Sequence, residues 1–157
     1  MDELRKAARA IRQALTRGPA ILTEEGTILL TCETRADEVY IRFGNSFGLT
    51  MDCEETDQLS TYFLNLSRAT EAGRAGTGKG PRIQQMGRAS GRPTHEIYGP
   101  GSASVYFGAS FTLAGIGPKA LKVLGVFLDQ KYGEARELAT AEMDTEAAYD
   151  RAGKSGW

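Results

Sequence analysis

Residues 39–69 read VYIRFGNSFGLTMDCEETDQLSTYFLNLSRA, and this stretch decides the fold. Val39, Ile41 and Phe43 alternate with Tyr40 and Arg42, the period-two pattern of a strand with one buried face. Gly44-Asn45 supplies the positive φ that a tight hairpin requires. Phe47, Leu49 and Met51 resume the alternation on the return strand. Asp52 then stands as an N-cap, with Glu55 completing a capping box. Leu59, Tyr62, Phe63 and Leu66 lay an apolar stripe along a helix that runs to about Thr70. The order is strand, turn, strand, helix.

A second copy of that order starts at Ser104: SVYFGASFTLAGIGPKALKVLGVFLDQKYGEA. Phe43, Gly44, Ser46, Phe47 and Leu49 align with Phe107, Gly108, Ser110, Phe111 and Leu113. At the same offset Phe63-Leu64 falls on Phe127-Leu128. One offset shared by hairpin and helix is the mark of an internal repeat; the alternative is two unrelated hairpins that both use Phe-Gly.

Outward from these anchors, residues 20–23 and 27–33 read as strands, with Ile28, Leu30 and Cys32 on one face. Residues 2–17 read as an amphipathic helix. Leu4, Ala8, Ile11 and Leu15 form its apolar face, Arg5, Arg9 and Arg12 its basic one, and Gly18-Pro19 ends it. Residues 71–93, EAGRAGTGKGPRIQQMGRASGRP, read as a flexible basic connector with one strand, 82–86, inside it. A strand over 94–98, the turn Gly99-Pro100-Gly101 and a hairpin around Gly108-Ala109 follow. Pro118 occupies a first helical position, Val123, Leu124, Phe127 and Leu128 give that helix its apolar side, and Gly133 reads as its C-cap. The resulting fold class is α+β, with two repeated antiparallel β-sheet-plus-helix halves forming a pseudo-dimer. The expected organisation is an N-terminal helix (1–19), a core (20–133) of two repeats (20–70 and 82–133), and a mildly acidic helical or flexible tail (134–157).

The chain has 157 residues, enough for one core, and 41% of them are hydrophobic. No apolar run is long enough to span a membrane, and the N-terminal MDELRKAARA lacks the apolar region of a secretory signal. Cys32 and Cys53 suit neither a disulfide scaffold nor a zinc site. They read as small buried hydrophobes in a reducing, cytoplasmic setting. The net charge of −1 hides an uneven distribution. Arg74, Lys79, Arg82, Arg88 and Arg92 lie in 72–95 without an acid. Glu134, Glu137, Glu142, Asp144, Glu146 and Asp150 outweigh Arg136 in the tail.

No catalytic set emerges. The run from Gly73 to Gly80 nearly spells a phosphate-binding loop, but Gly80 replaces the metal-binding hydroxyl and the loop follows a helix rather than a strand. His95, the single histidine, has no local nucleophile pattern. Asp52, Glu54, Glu55 and Asp57 complement a helix dipole and need no metal. The expectation is a non-enzymatic protein without cofactor or metal. Tyr40, Arg42, Tyr98 and Tyr106 point outward from the strands. With Arg74, Lys79, Arg82, Arg88 and Arg92 they would offer rings for base stacking and cations for phosphates. That combination suits single-stranded DNA or RNA. The bland reading is a solvated sheet face beside a basic linker. The alternative function is a protein–protein assembly or inhibitor module.

GTILLTCET, then EVYIRFGNSFGLT and an acid-capped helix, followed by SVYFGASFTLAGIGPKALKVLGVFL, resembles the Whirly fold and its relative, the homodimeric positive-coactivator family of single-stranded-DNA-binding proteins. The resemblance covers roughly residues 20–132 and is one of pattern; the lysine-rich strand signature of plant Whirly proteins is missing. It implies two sheets that pack by their helix-bearing sides and meet a single strand with their outer faces. The acidic stretch ending in Trp157 is similar to the partner-recruiting tails of single-stranded-DNA-binding proteins. Exposed sheet edges predict a homo-oligomer.

Overall fold

The computed structural model describes residues 16–155, with side chains for 16–147. The elements are β1 (Thr16–Thr23), β2 (Gly26–Arg35), β3 (Glu38–Phe43), β4 (Phe47–Asp52), α1 (Cys53–Glu71), β5 (Gly76–Lys79), β6 (Ile83–Met86), β7 (Ala89–Gly91), β8 (Thr94–Gly99), β9 (Ser102–Phe107), β10 (Phe111–Ile116) and α2 (Pro118–Ser155). They form two antiparallel sheets, ordered β1-β2-β3-β4-β6-β7 and β10-β9-β8-β5. The fold is α+β, with four strands and a helix given twice. β5 pairs with β8 as β1 pairs with β2, and the β6-β7 hairpin leaves the second unit to extend the first sheet beyond β4.

The repeated hairpins turn alike, with φ of 58° at Gly44 and 60° at Gly108. That left-handed conformation costs glycine nothing. Their phenylalanines meet in the middle of the molecule. Phe43 and Phe47 lie 5.3 to 5.6 Å, centroid to centroid, from Phe107 and Phe111. Phe47 and Phe111 are stacked, 6° from parallel. Val39, Ile41, Leu49 and Met51 from one sheet, and Val105, Leu113 and Ile116 from the other, complete the core under the helices.

The capping box at α1 forms as the sequence predicts. Asp52 Oδ1 accepts from the Glu55 amide at 2.7 Å, and Glu55 Oε1 from the Asp52 amide at 3.1 Å. Glu55 Oε2 also accepts from the Gln84 amide, tying β6 to the helix start. The two helices pack closely. Ser60 Oγ donates to the Gly125 carbonyl at 2.7 Å, and a Cβ on Gly125 would stand 2.7 Å from Leu64 Cγ. Each helix also reaches the other half's sheet. Tyr62 of α1 bonds His95 on β8, and the Thr70 carbonyl accepts from Gly101. Phe127 of α2 lies against Gly18 on β1, and the Ala135 carbonyl accepts from Asp37.

Five expectations are corrected. The helix predicted over 2–17 lies outside the described residues except for Thr16 and Arg17, and these are strand. Gly18-Pro19 is a bulge in β1 rather than a helix stop; the register shifts between Arg17 and Ala20, where proline has no N–H to give. The connector 71–93 holds three strands. Its glycines serve close packing: a Cβ would lie 2.5 Å from the His95 ring at Gly78, 2.6 Å from Pro93 at Gly80 and 2.6 Å from Met86 at Gly91. The helix from Pro118 does not stop at Gly133 but continues to Ser155, anchored past the glycine by the buried Ala135. Finally, Val123 is 39% exposed rather than part of the apolar side.

Candidate nucleic-acid interface

Alternation along each strand divides the sheets into a helix-covered face and an open one. On the first sheet Leu30, Cys32, Ile41, Phe43 and Leu49 are buried, which turns Thr31, Glu33, Tyr40, Arg42, Gly48 and Thr50 outward. Tyr40 and Arg42 are both partly exposed there. Tyr40 faces Thr50 in register yet leans along the sheet over Gly48, where a Cβ would stand 2.8 Å from the Tyr40 hydroxyl. The end of the ring thereby occupies the space that a side chain at position 48 would fill. Arg42 Nη2 donates to the Asn45 carbonyl at 3.3 Å, which holds the guanidinium near the hairpin tip.

On the second sheet Ile97, Ala103, Val105 and Leu113 are buried under the helices, Lys79, Thr94, Glu96, Tyr98, Tyr106 and Thr112 face out, and Ser104 lies on the same side but is buried. Tyr98 is 54% exposed. Its hydroxyl donates to Ser104 Oγ at 3.0 Å, and Ser104 Oγ also accepts from the Gly115 amide. The Tyr98 oxygen then accepts from Tyr106, 3.0 Å away. This hydrogen bond pushes the Tyr106 pKa above the usual phenol value.

The cations are spread over both sheets. Lys79 stands on β5, the edge of the second sheet, beside Thr94. Arg82 precedes β6, Arg88 lies in the β6-β7 turn, and Arg92 joins β7 to β8. Arg74 follows α1. All five are exposed. Among the described residues none of them forms an ion pair; the two ion pairs are Arg35–Glu33 and Lys131–Glu134. The structure thus brings Tyr40 with Arg42, and Lys79 with Tyr98 and Tyr106, onto two separate faces, with Arg82, Arg88 and Arg92 around the hairpin that links them. Glu33 and Glu96 share the same open faces and oppose an anion there.

Sequence reasoning passed over Gly48, whose role depends on a diagonal neighbour across the ladder, and Ser104, which ties the two tyrosines together. A glycine in the middle of an otherwise regular strand was the available signal for the first.

The groups with chemical potential elsewhere are accounted for structurally. His95 lies on the covered face, and its Nδ1 shares a hydrogen bond with the Tyr62 hydroxyl at 2.6 Å. Burial lowers the His95 pKa and raises that of Tyr62. Burial raises Cys32, and burial with the neighbouring Asp37 pushes Cys53 up to about 11. Both thiols are therefore protonated and weak nucleophiles at neutral pH. Among the described residues no group of three or more His, Cys, Asp or Glu could hold a metal ion, and no helix is long and apolar enough to cross a membrane.

Comparison with known proteins finds no matching family model, no matching curated protein and no matching solved structure.

Proposed function

We propose that this protein binds single-stranded nucleic acid, without strong sequence preference, on the open faces of its two sheets. The observation that carries this reading is Tyr40. A partly exposed ring lying over a glycine on the open face, with an arginine on the same strand, suits stacking against a base. Tyr98 and Tyr106 repeat the theme on the second sheet. The free cations Lys79, Arg82, Arg88 and Arg92 would follow the phosphates between the faces. A duplex offers its rings no base face, so the chemistry favours single strands. The doubled sheet-and-helix plan also fits a Whirly-like arrangement, in which the outer faces meet the strand; replication, recombination or transcription is the corresponding setting. In this reading the cytoplasm supplies the nucleic acid.

A second reading has its own support. Leu22 and Leu29 are 68% and 63% exposed on the open face of β1 and β2. Exposed leucines on a sheet face suit a protein partner, as in an assembly module. Photo-crosslinking of a halogenated uracil oligonucleotide, with peptides mapped by mass spectrometry, separates the two. Adducts at Tyr40, Tyr98 or Tyr106 support the first reading; adducts spread over the surface, or none, favour the second.

A further inference from the structure

The exposed side of α2 is electrically polarised along its length. Residues 118–131 carry exposed Lys119 and Lys122 against Asp129, with Lys131 turned onto Glu134. Residues 134–147 carry Glu134, Glu137, Glu142, Asp144 and Glu146 against Arg136. This order opposes the helix dipole, which favours acids at the start and bases toward the end. α1 obeys that preference, with Glu54 and Glu55 in its first turn and Arg68 in its last, whereas α2 has no acid in its first turn. Nothing within the described residues compensates Lys119 or Lys122.

Both halves of the polarised helix lie along one stripe. Lys119, Val123, Val126, Gln130, Glu134, Glu137 and Ala141 recur at spacings of three and four, all on the open side. Val123 and Val126 are 39% and 43% exposed and, with Pro19 of β1, line an open apolar cleft of about 460 Å³. Glu134, Glu137, Leu138 and Ala141 border a second open cleft that continues beside Thr16. Between the two sits Gly133. A Cβ there would meet nothing within 4 Å, so nothing in the described fold requires a glycine, though it costs a helix interior roughly 1 kcal/mol against alanine.

A single occupant satisfies all three features, namely α2 of a second copy running antiparallel. A two-fold axis near Gly133 would set the lysines of each helix against the acids of the other. It would cover Val123 and Val126 and let the two backbones approach where the side chain is missing. The opposed dipoles would favour the same arrangement. We infer that α2 is the homodimer interface of this protein, through an antiparallel, charge-complementary pairing of its exposed stripe. This inference is independent of what the sheets bind.

Analytical ultracentrifugation of the full chain across salt concentrations tests it. The expected result is a dimer that dissociates more readily as salt rises. Lys119→Glu with Lys122→Glu should weaken the dimer by about tenfold or more through like-charge contact. Glu137→Lys with Asp144→Lys should do the same. Mixing the two variants should restore association as a heterodimer. These side chains are exposed, and circular dichroism checks that each variant stays folded. Gln130→Cys, exposed on the stripe one turn from Gly133, should cross-link to its counterpart with a bismaleimide, while Met143→Cys, 70% exposed but off the stripe, should not. A chain that stays monomeric at low salt overturns the inference. So does a dimer indifferent to the charge swaps, or one that cross-links equally from Met143→Cys.

Discussion

Gly48 and Tyr40 form the smallest unit on which the account depends. Gly48→Ala places a methyl 2.8 Å from the Tyr40 hydroxyl. The flexible end of the tyrosine can swing away, so stability should change little while the stacking platform is lost. Tyr40→Ala should weaken single-strand binding by about 1–3 kcal/mol, the range for losing one base stack, and Gly48→Ala by a part of that. Titration of a labelled oligonucleotide measures both. Glu96→Gln should strengthen binding, because it removes a negative charge from the face that carries Tyr98 and Tyr106. His95 gives a separate test at the same scale. Partial burial lowers its pKa in the fold from the ordinary value of 6.5, so below that pH the unfolded chain binds more protons than the native one. Stability should therefore fall as pH drops through 6.5 and level off below the folded pKa. NMR titration of the folded protein should find the His95 pKa below 6.5.

At the scale of elements, the paired hairpins and the capped helix were legible because their signals are local. Period-two alternation places Val39, Ile41 and Phe43 inside and Tyr40, Arg42 and Tyr106 outside, and the structure agrees. Asp52 and Glu55 define a helix start within four residues of sequence. The glycine-rich run 71–93 was misread because glycine signals both looseness and tight contact. Which one holds at Gly78 or Gly80 depends on His95 and Pro93, contributed from elsewhere in the chain. Gly133 carries the same ambiguity, resolved by the hydrogen bond from Asp37 to Ala135. Where packing is tight the elements should respond sharply. Gly125→Val would drive a side chain into Leu64 and cost about 1–3 kcal/mol by overpacking. Asp52→Ala should cost about 1 kcal/mol through the lost cap. Urea unfolding measures both.

For the whole molecule, the repeat is an interlocked one. Each helix bonds to the sheet of the other half, and the four phenylalanines at the hairpin tips belong equally to both. Phe107→Ala should therefore destabilise the entire chain, by about 3–5 kcal/mol, in a single cooperative transition. A fragment ending after α1 should not fold alone, lacking α2 and the His95 and Gly101 partners of its helix. The site has the same character. Two open faces are joined in the chain through the β6-β7 hairpin, with Arg82, Arg88 and Arg92 in or beside it. Sequence alone could place these arginines in one basic segment; only the two-sheet topology shows that the segment bridges two platforms.

Fluorescence anisotropy with a labelled single strand and its matched duplex, repeated across a salt series, tests the central claim most directly. The account predicts preferential single-strand binding that weakens steeply with salt. Replacing Arg82 and Arg88 by glutamine should lower the slope of log K against log salt by about 1.4, from roughly 0.7 per phosphate contact on a single strand. Failure to bind a single strand at low salt, or tighter binding of the duplex, would contradict it.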